Sequence, residues 1–420
     1  MIFGVPSYYK EFHCIADRCQ DSCCIGWEID IDDDTFAYYK GVKGTFGRRL
    51  SEHMADGEEH SFHLMENGWC PFLNDRKLCD ICIELGEEAL SEVCTEYPRF
   101  TMEYENVREK TLSLSCEEVC RILFSSEEKT TWEERELPDF CGEADDGEPD
   151  GGMVDASWLR SVRARAVEIL QDRSKPVFVR AAEYLRYCEK MQRELLRLSQ
   201  NLDGGETSGA LKLPDDRAES GARTKTGAER KTGTEAATAY EQKWQRDCVC
   251  QTAGEAYDAF LLRMKSFKQL EVLDAAWETK REQLLHTFTR ENYLAAVNEF
   301  CQSRSPFEYE YEHLLVYFTY RYFMRAYYDG RILARAQFAA ASVLMIRDMD
   351  VLRYLRNGRR FLLDDRIATV KLYSREVEHS EENIGLLAED FDFEEVFSTE
   401  NLCRALCGLP GQKREPDKKP

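Results

Sequence analysis

The 420-residue sequence has no long hydrophobic run, no excess of basic residues and no glycine-rich nucleotide-binding loop. In its C-terminal half the longest apolar run covers residues 338–346, which is too short to cross a bilayer. The first residues show no basic segment followed by an apolar one, so no secretory signal is predicted. We therefore expect a soluble, cytoplasmic protein without a membrane segment.

The excess of acidic residues limits the possible partners. With 56 lysines and arginines against 79 aspartates and glutamates, the formal net charge is −23. Phosphate backbones are bound by basic surfaces, so this charge argues against a nucleic-acid partner. The acidity serves solubility, and it would also attract a basic or lysine-bearing partner.

Cysteine, in contrast, is abundant, with 17 residues in the chain. Four of them, Cys14, Cys19, Cys23 and Cys24, lie within residues 12–27. A disulfide framework is one interpretation, but the reducing cytosol favours metal ligands or buried thiols. Thiolates are the preferred ligands of zinc, Cu(I) and iron–sulfur centres, so the spacing predicts a soft-metal site without naming the metal. On a predicted helix, Cys19 and Cys23 would share a face.

A second set of cysteines follows. The pattern CPFL, polar NDRK and then LC predicts a hairpin that places Cys70 near Cys79. Residues 81–93 then show the pattern of an amphipathic helix that leads to Cys94. Cys116 lies at a predicted helix start, where the helix dipole would favour a thiolate.

Composition divides the chain into five segments and predicts a mainly α protein with little β structure. There is no βαβ alternation, so a doubly wound, Rossmann-type sheet is not expected. The glycine-, proline- and acid-rich joint and the polar insertion cannot bury enough apolar surface to fold. The predicted segments are a cysteine-rich metal-binding module over residues 1–139, a linker over 140–153, helices over 154–203, a disordered insertion over 204–239 and a helical C-terminal region over 240–420.

Two C-terminal stretches, one aromatic and one charged, contain candidate functional residues. Aromatic residues recur at helical spacing over residues 309–328, a pattern more typical of a core than of a cofactor site. Aromatic faces would nevertheless also attract a sulfonium cation. Further on, Arg375, Glu376 and His379 lie in the sequence YSREVEHSEEN, and Glu376 and His379 would share a helix face. A solvent-exposed helix with internal ion pairs is the structural alternative for this stretch.

The ordered motifs carry a resemblance to a known family. FHCIADRCQDSCCIGWEIDI, CPFLNDRKLC, LGEEALSEVCTEYPRF and LSLSCEE, together with LYSREVEHSEENIGLL at residues 372–387, resemble the flagellin lysine-N-methylase family. The resemblance implies methyl transfer from S-adenosylmethionine to the ε-amine of surface lysines of flagellin. It also implies an iron–sulfur cluster of the four-iron type held by cysteines. A carboxylate or histidine that accepts the lysine proton would be a catalytic part, so Arg375, Glu376 and His379 are candidates.

Carried over by motif, the resemblance implies more cysteines than one cluster needs. We expect the first motif to supply the four ligands, with the others as replacements, a second site or buried thiols. Cys82 and Cys120 stand where the family more often has other residues, and we interpret both as structural. The matching cysteines are Cys14, Cys19, Cys23, Cys24, Cys70, Cys79, Cys94 and Cys116.

A second hypothesis belongs to a different functional class. A non-catalytic adaptor whose cysteines hold structural zinc would show the same cysteine spacing. The glycine-rich loop of ordinary methyltransferases is absent, so any S-adenosylmethionine site must be built differently. Either the cluster contacts the amino-acid part of that cofactor or it only supports the fold.

Overall fold

The computed structural model describes residues 1–137, except residues 21, 27, 28, 56, 58 and 59, and then residues 151–202 and 252–407. The predicted insertion over residues 204–239 and most of the predicted linker lie outside the described residues. In the part of the chain that is described, no helix is both long and apolar enough to span a membrane.

The described residues are mainly helical, as the sequence predicted. The α-helices in chain order are α1 (Asp33–Gly41), α2 (Gly44–His53), α3 (Asp80–Leu85), α4 (Glu92–Glu96), α5 (Glu117–Ser125), α6 (Ala156–Leu170), α7 (Val177–Leu202), α8 (Ala253–Lys268), α9 (Ala275–Thr287), α10 (Tyr293–Ser303), α11 (Glu308–Tyr322), α12 (Ala326–Asp329), α13 (Ile332–Arg356), α14 (Leu363–Tyr373), α15 (Glu381–Phe393) and α16 (Thr399–Cys407). Short 3₁₀ turns cover Ser7–Glu11, Ala16–Arg18, Glu87–Ala89, Ser305–Phe307, Phe323–Arg325 and Glu395–Phe397.

One small mixed sheet accompanies the helices. Its strands are β1 (Ile2–Pro6), β2 (Arg99–Tyr104), β3 (Val107–Leu112) and β4 (Trp132–Glu136), and their order is β2-β3-β1-β4. β1 runs parallel to β3 and antiparallel to β4, and β2 and β3 form an antiparallel hairpin. This sheet is not a doubly wound one, in agreement with the sequence prediction for the fold class.

A buried ion pair fixes the sheet to the helices. The Arg163 guanidinium donates two 2.6 Å hydrogen bonds to the Glu109 carboxylate, and the Tyr104 hydroxyl donates a third, of 2.7 Å. All three side chains are buried. Because an unpaired buried charge is costly, this bidentate pairing holds β3 and α6 in a defined relative position.

Two hydrophobic clusters form the interior. The larger one joins Tyr8, Phe12 and residues 104–124 to the helices from α6 onwards. The smaller one is built from residues 29–94 around the fully buried Phe72, and the cysteine-bearing segments surround it.

Two local predictions around the cysteines are wrong. The described residues near Cys19 and Cys23 form turns after the short 3₁₀ segment Ala16–Arg18, and no α-helix places the two thiols on one face. The helix predicted over residues 81–93 is interrupted at Gly86, whose φ of +97° ends α3 in a conformation that favours glycine.

The charged stretch near the C-terminus is interrupted as well. α14 ends at Tyr373, a π-helical turn covers Ser374–Glu378, and α15 begins only at Glu381. All five residues of the turn are buried, so the solvent-exposed helix considered for this stretch is wrong. Single π turns of this kind often occur at functional sites.

Candidate functional site

Cysteines from four separate chain segments lie around the smaller hydrophobic cluster. Cys70 is buried within it, and Cys24, Cys79 and Cys94 pack against its edge. The backbone N–H of Cys70 donates a 2.8 Å hydrogen bond to the carbonyl oxygen of Cys24, and a single β-bridge between Leu73 and Cys79 closes the predicted hairpin. Burial raises the pKa of Cys70, and the neighbouring thiols of Cys24, Cys79 and Cys94 raise it further. We call these four residues the cysteine group.

The other cysteines of the motifs lie beside this group. Cys14 and Cys23 are exposed, whereas Cys19 and Cys116 are partly buried. Cys23 donates a hydrogen bond to Cys24, which lowers the pKa of Cys24 to about 7 and raises that of Cys23. Of the first sequence motif, then, Cys24 alone joins the cysteine group. The first four cysteines as a ligand set stay a prediction.

Cys116 occupies the predicted helix start. It is the residue that precedes α5, as the sequence indicated. Burial raises its pKa to about 11, with the neighbouring Cys19 and Cys14 as lesser causes, so desolvation outweighs the helix dipole and the thiolate is not favoured. Cys82 contacts Cys79, and burial raises its pKa to about 12.

The cysteine group offers thiols, which are ligands both of single zinc ions and of iron–sulfur clusters. Among the described residues, no three His, Cys, Asp or Glu side chains are arranged to hold a single metal ion. A four-iron cluster places its thiolate ligands around a larger inorganic core than one zinc ion does, so it needs a wider arrangement. Four thiols from separate segments around an apolar core fit the ligand type of such a cluster.

A polar site lies where the cysteine-bearing segments meet the C-terminal helices. The Nε2 atom of His379 is 3.1 Å from the Ser113 hydroxyl and 2.8 Å from the Ser115 hydroxyl. The Tyr97 hydroxyl lies 3.0 Å from the Ser115 hydroxyl. The rings of Tyr97 and Phe100 have their centroids 6.4 and 5.7 Å from that of His379.

The surroundings of His379 keep its imidazole neutral. Burial lowers the pKa of His379 to about 3, and the positive charges of Arg321 and Arg375 contribute to the same shift. A neutral imidazole can accept one hydrogen bond and donate another. The site therefore holds an uncharged histidine over the physiological pH range.

The residue before His379 is a fully buried carboxylate. Glu378 Oε2 accepts hydrogen bonds from the hydroxyls of Tyr317 at 2.7 Å and Tyr322 at 2.8 Å, and it lies 3.2 Å from Nε of Arg321. Within the described part of the chain, the buried atoms Glu378 Oε1 and Arg321 Nη1 have no hydrogen-bond partner. We call the following residues the polar cluster: Tyr97, Ser113, Ser115, Tyr317, Arg321, Tyr322, Glu378 and His379.

Sequence reasoning missed several members of the polar cluster. Tyr317 and Arg321 lie one helical turn apart on α11, within the aromatic stretch that the sequence interpreted as core. That interpretation is confirmed, because the aromatic side chains of α11 are buried apart from the partly buried Tyr309. A sulfonium site among them stays a prediction. The available signal was the charge of Arg321 in an otherwise apolar and aromatic helix segment.

The predicted catalytic residues point in different directions. Arg375 Nη2 donates a 2.6 Å hydrogen bond to the carbonyl oxygen of Ile25, the residue after Cys24. The Glu376 carboxylate accepts backbone N–H groups of Leu273 at 3.2 Å and Asp274 at 3.0 Å, immediately before α9. The expectation that Glu376 and His379 share a face is therefore wrong, because the π turn separates their directions.

Burial also changes the ionisation of Glu376. It raises the pKa of this carboxyl to about 7, although the two backbone N–H donors oppose the shift. A carboxylate at this position satisfies backbone groups that precede the first turn of α9.

Comparison with known proteins finds a matching family and several relatives of this chain. The family model of the FliB lysine N-methylase C-terminal domain matches residues 163–405. The chain is 35% identical over 126 residues to the lysine-N-methylases of Salmonella typhimurium (strain LT2) and Salmonella choleraesuis (strain SC-B67), which is 28% of this chain and 31% of each relative. It is 33% identical over 126 residues to the flagellar biosynthetic protein FliU of Salmonella muenchen, covering 75% of that protein. The match thus spans about a third of the length of the two methylases. No solved structure matches the chain.

Proposed function

The chain belongs to the FliB lysine N-methylase family, and from this membership we propose that it transfers methyl groups from S-adenosylmethionine to the ε-amines of surface lysines of flagellin. The observation that carries the proposal is the polar cluster. Its members from Tyr317 onwards lie within the matched residues 163–405, and one of them, His379, contacts Ser113 and Ser115 just before Cys116.

Methyl transfer requires a neutral lysine amine at the site. The lone pair of a neutral lysine amine attacks the methyl carbon, the carbon–sulfur bond breaks, and its electron pair stays on the sulfur of the departing thioether. The lysine ammonium, with a pKa of about 10.4, has no free lone pair, so it must lose a proton before this step.

We assign two residues of the polar cluster to the orientation and deprotonation of the lysine. His379 is neutral, and a base with so low a pKa holds a proton poorly. It therefore suits the orientation of the amine through a hydrogen bond. Glu378 Oε1, which is buried and has no partner among the described residues, is the assigned proton acceptor. Phe100 and Tyr97 offer aromatic faces beside His379 for the sulfonium cation of the methyl donor.

Arg375 and Glu376 take positioning roles in this proposal. The Arg375 bond to Ile25 holds the segment after Cys24 against the π turn that carries Glu378. Glu376 fixes the other side of the same turn to the start of α9. Both residues thereby set the position of His379 without contacting the reacting atoms.

For the metal cofactor we propose a four-iron cluster held by the cysteine group, Cys24, Cys70, Cys79 and Cys94. When bound, such a cluster would supply iron held by the thiolates of these four residues. The proposal rests on the packing of these four cysteines around one apolar core and on the donor type of the thiol. Cys14, Cys19, Cys23 and Cys116 are the neighbouring thiols that could replace a ligand.

The test uses the full-length protein, purified without oxygen, with flagellin from the same organism and S-adenosylmethionine. Intact-mass analysis should show methyl-sized increments on flagellin. Cys24→Ser and Cys70→Ser should lose both the brown colour of an iron–sulfur protein and the increments. Cys188→Ser is the matched control, because this thiol is buried in α7 and lies outside the cysteine group.

Two outcomes would contradict the proposal. Absence of increments from protein whose metal is intact would exclude the methylase for this substrate. A colourless preparation with tightly bound zinc and no transfer would favour the alternative function of a non-catalytic metal-binding adaptor.

A further inference from the structure

An open groove of about 600 Å³ lies beside the polar cluster. Its wall is strongly acidic, since it contains five carboxylates and a single arginine, Arg99. The carboxylates belong to Asp30, Asp32, Asp33, Glu92 and Glu96. A groove with this lining attracts a cation from solution.

Not all of these carboxylates are available to a ligand. Asp32 accepts the backbone N–H groups of Thr35 and Glu92, both at 2.9 Å, and so caps α1. Glu96 pairs with Lys110 at 2.6 Å. Among the described residues no cation pairs with the Glu92 carboxylate. The Asp33 side chain is 98% exposed, and its Oδ1 atom lies 3.7 Å from Nε2 of His60.

The same groove contains apolar surface. Ile31, Val93 and Phe100 contribute to its wall, and Val93 is unusually exposed for an apolar side chain, at 45%. A lysine side chain combines a four-carbon apolar stem with a terminal ammonium group, so it needs this combination of surfaces. The groove wall also holds His60, whose Nδ1 atom is buried and has no hydrogen-bond partner in the described structure.

Phe100 connects the groove to the polar cluster. Phe100 is one of the residues that line the groove. The Arg321 guanidinium lies 3.5 Å from the ring centroid, and the His379 ring lies 5.7 Å from it. Phe100 therefore belongs both to the lining of the groove and to the immediate surroundings of Arg321 and His379.

We propose that this groove binds the lysine-bearing segment of the protein substrate, with Glu92 and Asp33 attracting the ammonium and Val93 and Phe100 contacting the stem. This inference rests on the proposed function and names the surface that selects the substrate. It predicts a preference for lysine over an apolar side chain of the same length.

The experiment separates binding from transfer. The full-length protein is titrated, without methyl donor, into a fluorescein-labelled peptide with one lysine between glycine and serine residues, and into the same peptide with norleucine. We expect the double variant Glu92→Gln, Asp33→Asn to bind the lysine peptide about five-fold more weakly, as for two solvent-exposed ion pairs. The control Glu84→Gln, Glu88→Gln removes two exposed charges from the same segment outside the groove and should bind as the unmodified protein does.

Flagellin methylation then provides the second readout. The double variant should raise KM for flagellin by the same factor and change kcat less than about two-fold, because the lost binding is the same in the ground state and in the transition state. Equal binding of the lysine and norleucine peptides, or an unchanged KM in the double variant, would overturn the groove assignment while leaving the methylase proposal intact. Binding of the lysine peptide that depends on Glu92 and Asp33, without any methylation of flagellin, would support the groove and refute the methylase proposal.

Discussion

The guanidinium of Arg375 donates a 2.6 Å hydrogen bond to the carbonyl oxygen of Ile25, which joins the C-terminal π turn to the residue after Cys24. The neighbouring Gly26 has a φ of +86°, and a Cβ at this position would lie 2.8 Å from Nη2 of the same arginine. Glycine thus allows the backbone both its conformation and its approach to Arg375.

Gly26→Ala should therefore destabilise this junction. A non-glycine residue with positive φ costs on the order of 1–3 kcal/mol, and the methyl group would also displace Arg375. We expect a loss of that size in the unfolding free energy in urea, together with reduced iron content. Gly385→Ala is the control, because Gly385 lies in α15 with open space around it and alanine there should stabilise the helix by about 0.5–1 kcal/mol. Equal effects of the two substitutions would contradict the role of Gly26.

His379 should make stability depend on pH below neutrality. Its pKa is lowered from 6.5 to about 3 by burial, so the unfolded chain binds a proton in this range and the folded chain does not. Stability should then fall as the pH drops below about 6.5, by up to about 1.4 kcal/mol per pH unit. Urea unfolding at several pH values, compared with His379→Asn, isolates this contribution. A variant with the same pH dependence as the unmodified protein would rule the shift out.

Glu376 should act with the opposite sign. Burial raises its pKa from 4.5 to about 7, so here the folded chain binds the extra proton between these values. Its contribution to stability should decrease as the pH rises from about 4.5 to 7. Glu376→Gln keeps an oxygen that accepts the N–H groups of Leu273 and Asp274 and removes the titration. As the pH rises across this range, the unfolding free energy of the unmodified protein should decrease relative to that of Glu376→Gln. A difference between the two proteins that stays constant with pH would contradict the prediction.

Local patterns in the sequence were sufficient for several elements. The helix start at Cys116, the helices over residues 154–203 and the aromatic core of α11 follow from local patterns and were predicted. The π turn was not predicted, because Ser374–Glu378 has the composition of an ordinary amphipathic helix. Its burial depends on the tertiary contacts of Arg375 and Glu378, which no local pattern encodes.

The site depended even more on distant contacts. His379 and Ser113 are separated by 266 residues. No local sequence pattern around either residue predicts their contact. The cysteine group likewise combines one residue of the first motif with three residues of later motifs. A backbone hydrogen bond joins Cys70 to Cys24. Cysteine density alone indicated a metal site, but the choice of partners follows from packing around Phe72.

The buried pair of Arg321 and Glu378 should be strongly coupled. Both side chains are almost fully buried, and Tyr317 and Tyr322 complete the coordination of one Glu378 oxygen. Removing one partner leaves an uncompensated charge in the interior, which costs about 3–5 kcal/mol. Glu378→Gln and Arg321→Met should each lose about this amount in urea unfolding. The double variant should lose less than their sum, because it leaves neither charge alone.

An exposed pair provides the control for this cycle. Glu400 and Arg404 form an ion pair on the surface of α16, with side chains 70% and 45% exposed. Glu400→Gln should change the unfolding free energy by less than about 1 kcal/mol, since water and salt screen such pairs. Additive losses at Arg321 and Glu378, or losses as small as that of Glu400→Gln, would show that the two side chains do not act as a unit. A strong coupling would instead show that Arg321 stabilises the Glu378 side chain, which is the proton acceptor in the proposed mechanism.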